Sequence, residues 1–317
     1  MNKKSFIIIS LVAVGMGIVG MMIILRVKKS APISPPPEQK RLKVVTTIVP
    51  LYLTAREVGG SLVDVVNLIP LSAQPHGYQL TQDDKKNLAN ADIIITSGAS
   101  IDAWADEEIQ KLENLRPTVV ALGKRLELTS QLPLLADGKS LGESDAHFWL
   151  DPGRMMLAVA SVRDAFIEED PLHKDQYWLQ TSFFLESLGM IDRDFRERFK
   201  SVQSKAIVSS HLSMAYFISS FDLTWVGAVI EEPQQTPTPA HINALVKRIQ
   251  REHARAVFGD HEDDGYAKQV AQQAGVPFVV FNPLETASTT VPESYETIMR
   301  RNMMAMSQTL GYEPEME

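Results

Sequence analysis

The chain contains no cysteine. Disulfides, thiolate metal ligands and a lipid anchor on an N-terminal cysteine are all excluded, so any metal site must use nitrogen and oxygen donors. Histidine is also sparse, with seven in 317 residues, and aromatic residues make up only 7%. Positive charge is scarce beyond the amino-terminal region. Residues 1–42 carry seven Lys or Arg and one Glu, whereas the remainder holds 24 basic and 38 acidic side chains. A body with that excess of acid does not present the cationic face that nucleic-acid phosphates require. It tolerates or attracts cations, although acidity alone decides little.

Long apolar runs are missing except for one. Ser5 to Leu25 is uncharged and mostly apolar, preceded by Lys3 and Lys4, and is long enough to span a bilayer. A cleaved signal peptide competes with an uncleaved anchor over residues 1–29. Signal cores are usually shorter and end at a small-residue cleavage site. Here Arg26, Lys28 and Lys29 follow directly and Ala-x-Ala is missing, which favours the anchor and an extracytoplasmic, membrane-attached body. Positive charges on both sides leave orientation undetermined. Residues 30–42 include Ser30–Pro37 (SAPISPPP) and read as a stiff polyproline-like spacer.

The body alternates strands with helices. Lys43–Ile48, Val63–Ile69, Asp92–Thr96 and Pro117–Leu122 are short β-branched runs bounded by breakers. Helical patterns fall at Leu51–Val58, Thr81–Asn90 (with a Thr cap) and Ile101–Leu115. The rhythm returns in strands at Lys205–Val208, Thr224–Ala228, Ala254–Phe258 and Phe278–Phe281. Between the halves, Leu172–Lys200 places Tyr177, Phe184, Leu188, Ile191, Phe195 and Phe199 on one helical stripe. The fold class expected is therefore α/β. It has two lobes (43–168 and 204–317), each a parallel sheet flanked by helices, joined by one long rigid helix over 169–203. With a single helix as hinge, lobe motion is expected to be small.

His76, His147 and His211 lie where strands or loops end, the position where α/β folds place ligands. Imidazole nitrogen suits zinc and other borderline metals. The other histidines, His173, His241, His253 and His261, read as surface or capping residues. Trp104, Trp149 and Tyr78 read as packing near the lobe interface, and Glu231-Glu232 as a solvated loop.

The order and spacing of several motifs resemble the metal-binding proteins of ABC importers, the zinc and manganese group, from Val44 to Tyr312. The segments that carry the resemblance are Thr46–Tyr52 with Gly59-Gly60, and Pro75-His76-Gly77-Tyr78 with Asp83, Leu88 and Ala91-Asp92. Further along come Ser97-Gly98-Ala99 with Asp102 and Trp104, His147-Phe148-Trp149-Leu150-Asp151-Pro152, Ser210-His211 with Tyr216-Phe217, and Val280–Leu284. The resemblance implies that His76, His147 and His211 are metal ligands, and a histidine in third place points to zinc cargo, with manganese as the alternative. Asp102 stands where the family usually has Glu, and Asn282 where it usually has Asp. The fourth ligand is therefore open: Asn282, Glu143, Asp145 or water, with Asp260 supporting from behind.

Delivery of a divalent ion to an ABC-transporter permease by a monomeric protein follows from the resemblance. A manganese or iron carrier, a metal sensor or cell-adhesion protein, and a zinc-dependent hydrolase are the rival readings. No His-Glu-x-x-His helix is present to support the last. The segment Leu126–Asp145 has no histidine, so an additional metal-collecting loop is not expected.

Overall fold

A computed structural model describes residues 40–112, 117–126, 145–231, 235–288 and 293–313. The apolar segment Ser5–Leu25, the proline-rich spacer up to residue 39, Glu143 and Glu232 lie outside the described residues. Among the described residues, no helix is long and apolar enough to cross a membrane.

The amino-terminal lobe runs β1 (Leu42–Thr46), α1 (Val49–Gly59), β2 (Val63–Asn67), α2 (Gln82–Ala89), β3 (Ile93–Thr96), α3 (Asp106–Gln110), β4 (Thr118–Ala121) and α4 (Leu122–Arg125). Its four strands are parallel in the order β2-β1-β3-β4. β3 is buried at every position, as expected of a parallel strand covered on both faces. The Thr81 cap expected for α2 is present. Its hydroxyl accepts from the Asp84 amide, and the Asp84 carboxylate accepts in return from the Thr81 amide.

Two helices follow, α5 (Pro152–Glu169) and α6 (Lys174–Lys200), the latter 27 residues long. The carboxyl-terminal lobe then runs β5 (Ala206–His211), α7 (Ala215–Ser220), β6 (Thr224–Ile230), α8 (Pro239–Arg251), β7 (Val257–Gly259), α9 (Gly265–Ala274), β8 (Phe278–Val280) and α10 (Tyr295–Thr309). Its sheet is again parallel, in the order β6-β5-β7-β8. Each sheet reverses its winding at its first strand. The crevices at the carboxyl ends of β1/β3 and β5/β7 are therefore the natural ligand positions.

The stripe on α6 is buried as its spacing requires: Tyr177, Phe184, Leu188, Ile191, Phe195 and Phe199 all face inward. Its carboxyl-terminal end meets Phe217 and Phe221, and Phe217 also packs against Phe281 at a ring-centroid distance of 5.4 Å. Edge-on and tilted aromatic pairs of this kind favour the arrangement beyond area burial alone. Phe217 is fully buried, so Phe217→Ala is expected to cost about 3–5 kcal/mol of stability. Urea unfolding checks this, and a loss below about 1 kcal/mol would contradict the role given to the cluster.

One helix departs from expectation. The continuous helix read over Ile101–Leu115 is instead a 3₁₀ segment (Ser100–Ala105) followed by the short α3, with a non-helical backbone at Asp102. The cause is a buried carboxylate. Asp102 accepts from the Thr47 hydroxyl (2.5 Å), the Ser97 amide (2.6 Å) and the Ser97 hydroxyl (2.5 Å). These bonds outrank helical geometry because a buried carboxylate without partners is costly. Burial raises its pKa, against the opposing pull of those same donors.

Candidate metal centre

Four side chains converge between the lobes, near the carboxyl ends of the strands or further along the chain from them. His76 follows β2, His147 follows β4, His211 ends β5, and Glu285 follows β8. One ligand atom from each can be chosen so that all four lie within 4.8 Å of one another. A single carboxylate oxygen, Glu285 Oε1, faces the three imidazoles: 2.8 Å from His147 Nε2, 3.0 Å from His211 Nε2 and 3.5 Å from His76 Nε2. Three nitrogens and one oxygen at such separations form the donor set of a tetrahedral zinc site.

Acceptors behind the rings fix which nitrogen faces inward. Asp145 Oδ1 takes both the His147 amide (2.8 Å) and His147 Nδ1 (2.5 Å), while its second oxygen accepts from the Ala215 amide (3.0 Å). Asp260 Oδ2 lies 2.7 Å from His211 Nδ1. In both cases the carboxylate holds Nδ1–H, so Nε2 is the nitrogen that faces into the site, and once it gives up its proton the ring is a stronger donor. Asp145 and Asp260 thus stand behind imidazoles. Glu143 lies outside the described residues.

Asn282, at the position that the resemblance assigns to a fourth ligand, is engaged elsewhere. Its side-chain oxygen accepts from the Leu284 amide at 2.7 Å. Its backbone amide donates to Asn302 Oδ1 (2.9 Å) and its carbonyl accepts from Asn302 Nδ2 (2.7 Å). An Asn-Pro pair is turn chemistry, the short amide closing a ring onto the chain two residues ahead. That turn delivers Glu285, three residues further on, to the imidazoles. Sequence reasoning missed Glu285, although an acid just past an Asn-Pro turn was a visible signal.

The aromatic residues hold the ligand loops. The Trp104 indole donates to the Pro75 carbonyl, next to His76, at 3.2 Å. The Trp149 indole donates to the Pro283 carbonyl at 2.8 Å, and its own carbonyl accepts from the Tyr295 hydroxyl at 2.6 Å. A backbone bond from the Ala287 amide to the Leu71 carbonyl (2.6 Å) ties the Glu285 loop to the His76 loop. Of the histidines read as surface or capping residues, His173 pairs with Asp170 (2.6 Å) and His241 Nε2 lies 2.9 Å from the Ala228 carbonyl.

The site's charges are strongly coupled. Burial alone would lower the pKa of His147, but the carboxylates of Asp145 and Glu285 outweigh it and push the imidazole up to about 9. His211 behaves likewise: burial opposes, Asp260 and Glu285 prevail, and it is held well above the usual 6.5. Burial would raise Glu285, yet the surrounding imidazoles, His211 foremost, keep it well below 4.5. In the metal-free protein the carboxylate is therefore ionised beside the raised His147 and His211 imidazoles.

A family model described as "Zinc-uptake complex component A periplasmic" matches residues 44–309. The zinc-binding lipoprotein AdcA of Streptococcus pneumoniae is 24% identical over 289 residues, covering 86% of this chain and 56% of AdcA. This chain thus spans about half the length of that relative. The iron-binding protein YfeA of Yersinia pestis is 23% identical over 248 residues, covering 77% of this chain and 78% of YfeA. Among solved structures, a mutant of the laminin-binding adhesin Lmb from Streptococcus agalactiae superposes with a TM-score of 0.75 at 24% identity, covering 85% of this chain and 99% of Lmb. Zn(II)-bound AdcA from Streptococcus pneumoniae gives 0.72 at 23% identity, covering 88% and 60%. At that identity the likeness shows the fold.

Proposed function

This chain belongs to the zinc-uptake complex component A family, and we propose that it captures a zinc ion outside the cytoplasm and delivers it to an ABC permease. The observation that carries this reading is the convergence of His76, His147, His211 and Glu285 on one point. Three imidazoles favour zinc over harder ions such as manganese, which prefer oxygen-rich, six-coordinate surroundings. The mechanism is reversible chelation, with Nε2 of each ring and Glu285 Oε1 as the four donors. A monomer attached to the membrane through the uncharged, mostly apolar Ser5–Leu25 is the form we propose.

The donor set also argues against hydrolysis. Catalytic zinc keeps one position open for water, whereas these four side chains would together complete a tetrahedron around the ion. An iron or manganese carrier is the second reading, favoured by the likeness to YfeA.

Competition titration of the metal-free protein with zinc, manganese and iron(II) separates these readings. Zinc is expected to bind at least about a hundredfold more tightly than manganese, as the order of divalent affinities for nitrogen donors requires. Equal or tighter manganese binding would overturn the assignment of zinc.

A further inference from the structure

Glu285 reaches the imidazoles through an unusual piece of backbone. Leu284, immediately before it, is fully buried and has φ of +61°. That left-handed conformation is uncommon for any residue other than glycine and costs on the order of 1 kcal/mol or more. It persists because the surrounding bonds dictate it. The Asn282 side-chain oxygen holds the Leu284 amide, and the Asn302 carboxamide grips the Asn282 backbone from both sides, donating to its carbonyl and accepting from its amide. Asn302 is itself buried, on α10. Pro283 is fixed as well, its carbonyl taking the Trp149 indole proton. Every link in this chain is a neutral amide, so none competes with Glu285 for a cation.

We infer that Asn302, acting through Asn282 and the left-handed Leu284, is a positioning residue that sets the reach of Glu285 and thereby selects a four-coordinate cargo. The inference rests on the proposed zinc site. Its geometric basis is that Glu285 presents one oxygen, Oε1, to all three rings. A carboxylate held with one oxygen forward completes a tetrahedron. A carboxylate free to advance and turn can offer both oxygens, which serves ions that prefer five or six donors. Loosening the grip should therefore weaken zinc binding selectively, whereas general damage to the lobe would weaken all metals alike.

The test measures zinc and manganese affinities of Asn302→Ala, Asn282→Ala and Asn282→Asp by chelator competition, with cobalt(II) absorption as the report on geometry. In the two alanine variants zinc affinity should fall by about 10–100-fold, the usual effect of removing a group that orients a ligand. Manganese affinity should hold or rise, so the zinc-to-manganese ratio drops at least about tenfold, and the intense tetrahedral cobalt bands should weaken. Asn282→Asp keeps an acceptor for the Leu284 amide and should retain the parent ratio and spectrum. If Asn302→Ala does not fold, the Asn282 pair decides by itself. An unchanged ratio in the alanine variants, or Asn282→Asp behaving like Asn282→Ala, would overturn the inference. Glu285→Gln is read in parallel: intact zinc binding there defeats the four-ligand site itself, whereas lost binding together with an unchanged ratio in the asparagine variants defeats only the positioning role.

Discussion

Replacing Glu285 by Gln is expected to weaken zinc binding by about 10²–10³-fold. Zinc held by four protein ligands is bound with roughly 10–16 kcal/mol at neutral pH, so one ligand in four accounts for about 2.5–4 kcal/mol. The change from carboxylate to amide keeps the volume and the loop but removes the only anionic donor among three neutral rings. It also removes one of the two carboxylates that hold each of His147 and His211 up in the metal-free protein, so those two rings should titrate lower in the variant. Asn282→Asp makes the opposite comparison. Were residue 282 a ligand, a carboxylate there would tighten zinc substantially; as a turn-former it should stay within about tenfold of the parent. Chelator competition on both variants checks the pair, and a Glu285→Gln protein with undiminished affinity would remove Glu285 from the site.

The second large effect is on pH. Zinc takes neutral imidazole, yet in the metal-free protein His147 is held up to about 9 and His211 well above 6.5. Binding at neutral pH is therefore expected to expel about two protons, and apparent affinity should climb with pH by up to about a hundredfold per unit as long as both rings are protonated in the metal-free protein. Calorimetric titration in two buffers of different ionisation enthalpy counts the protons directly, and release of none at pH 7.5 would contradict the coupling.

The metal-free fold should respond in the reverse sense. A histidine raised on folding stabilises fully below its unfolded pKa near 6.5, and that contribution is lost as pH rises through about 9. Glu285, lowered on folding, stabilises above about 4.5 and loses its contribution as pH falls through its depressed value. Melting of the metal-free protein should thus peak between about pH 4.5 and 6.5, and zinc should bring its largest gain in melting temperature at higher pH.

The frame was legible because its signals are local. Runs such as Ile93–Thr96 are β-branched and breaker-bounded, and the α6 stripe keeps one periodicity throughout its length. The histidines were legible through the motifs around them, whose order resembles the metal-binding family, and the structure brings the three together. What escaped depends on contacts distant in sequence. Nothing near Asp102 announces that Thr47, just past the end of β1, will take its carboxylate and break the helix. Nothing in Asn282–Glu285 announces a left-handed leucine, since that conformation is imposed by Asn302 twenty residues later. Without it the chain's direction after Pro283 cannot be deduced, so the acid visible just past the Asn-Pro turn could not be aimed at the rings from sequence.

The loop that carries His147 follows a strand of the first lobe, yet its bonds run to the second. Asp145 takes the Ala215 amide, Asp151 takes the Ser220 hydroxyl, and Trp149 is held by Pro283 and Tyr295. The His147 segment is thus held by the second lobe, while the bond from the Ala287 amide to the Leu71 carbonyl ties the Glu285 loop back to the first. Part of the entropy of assembling the chelate is therefore spent during folding, and damage to the core of either lobe should reach the ion through more than one donor.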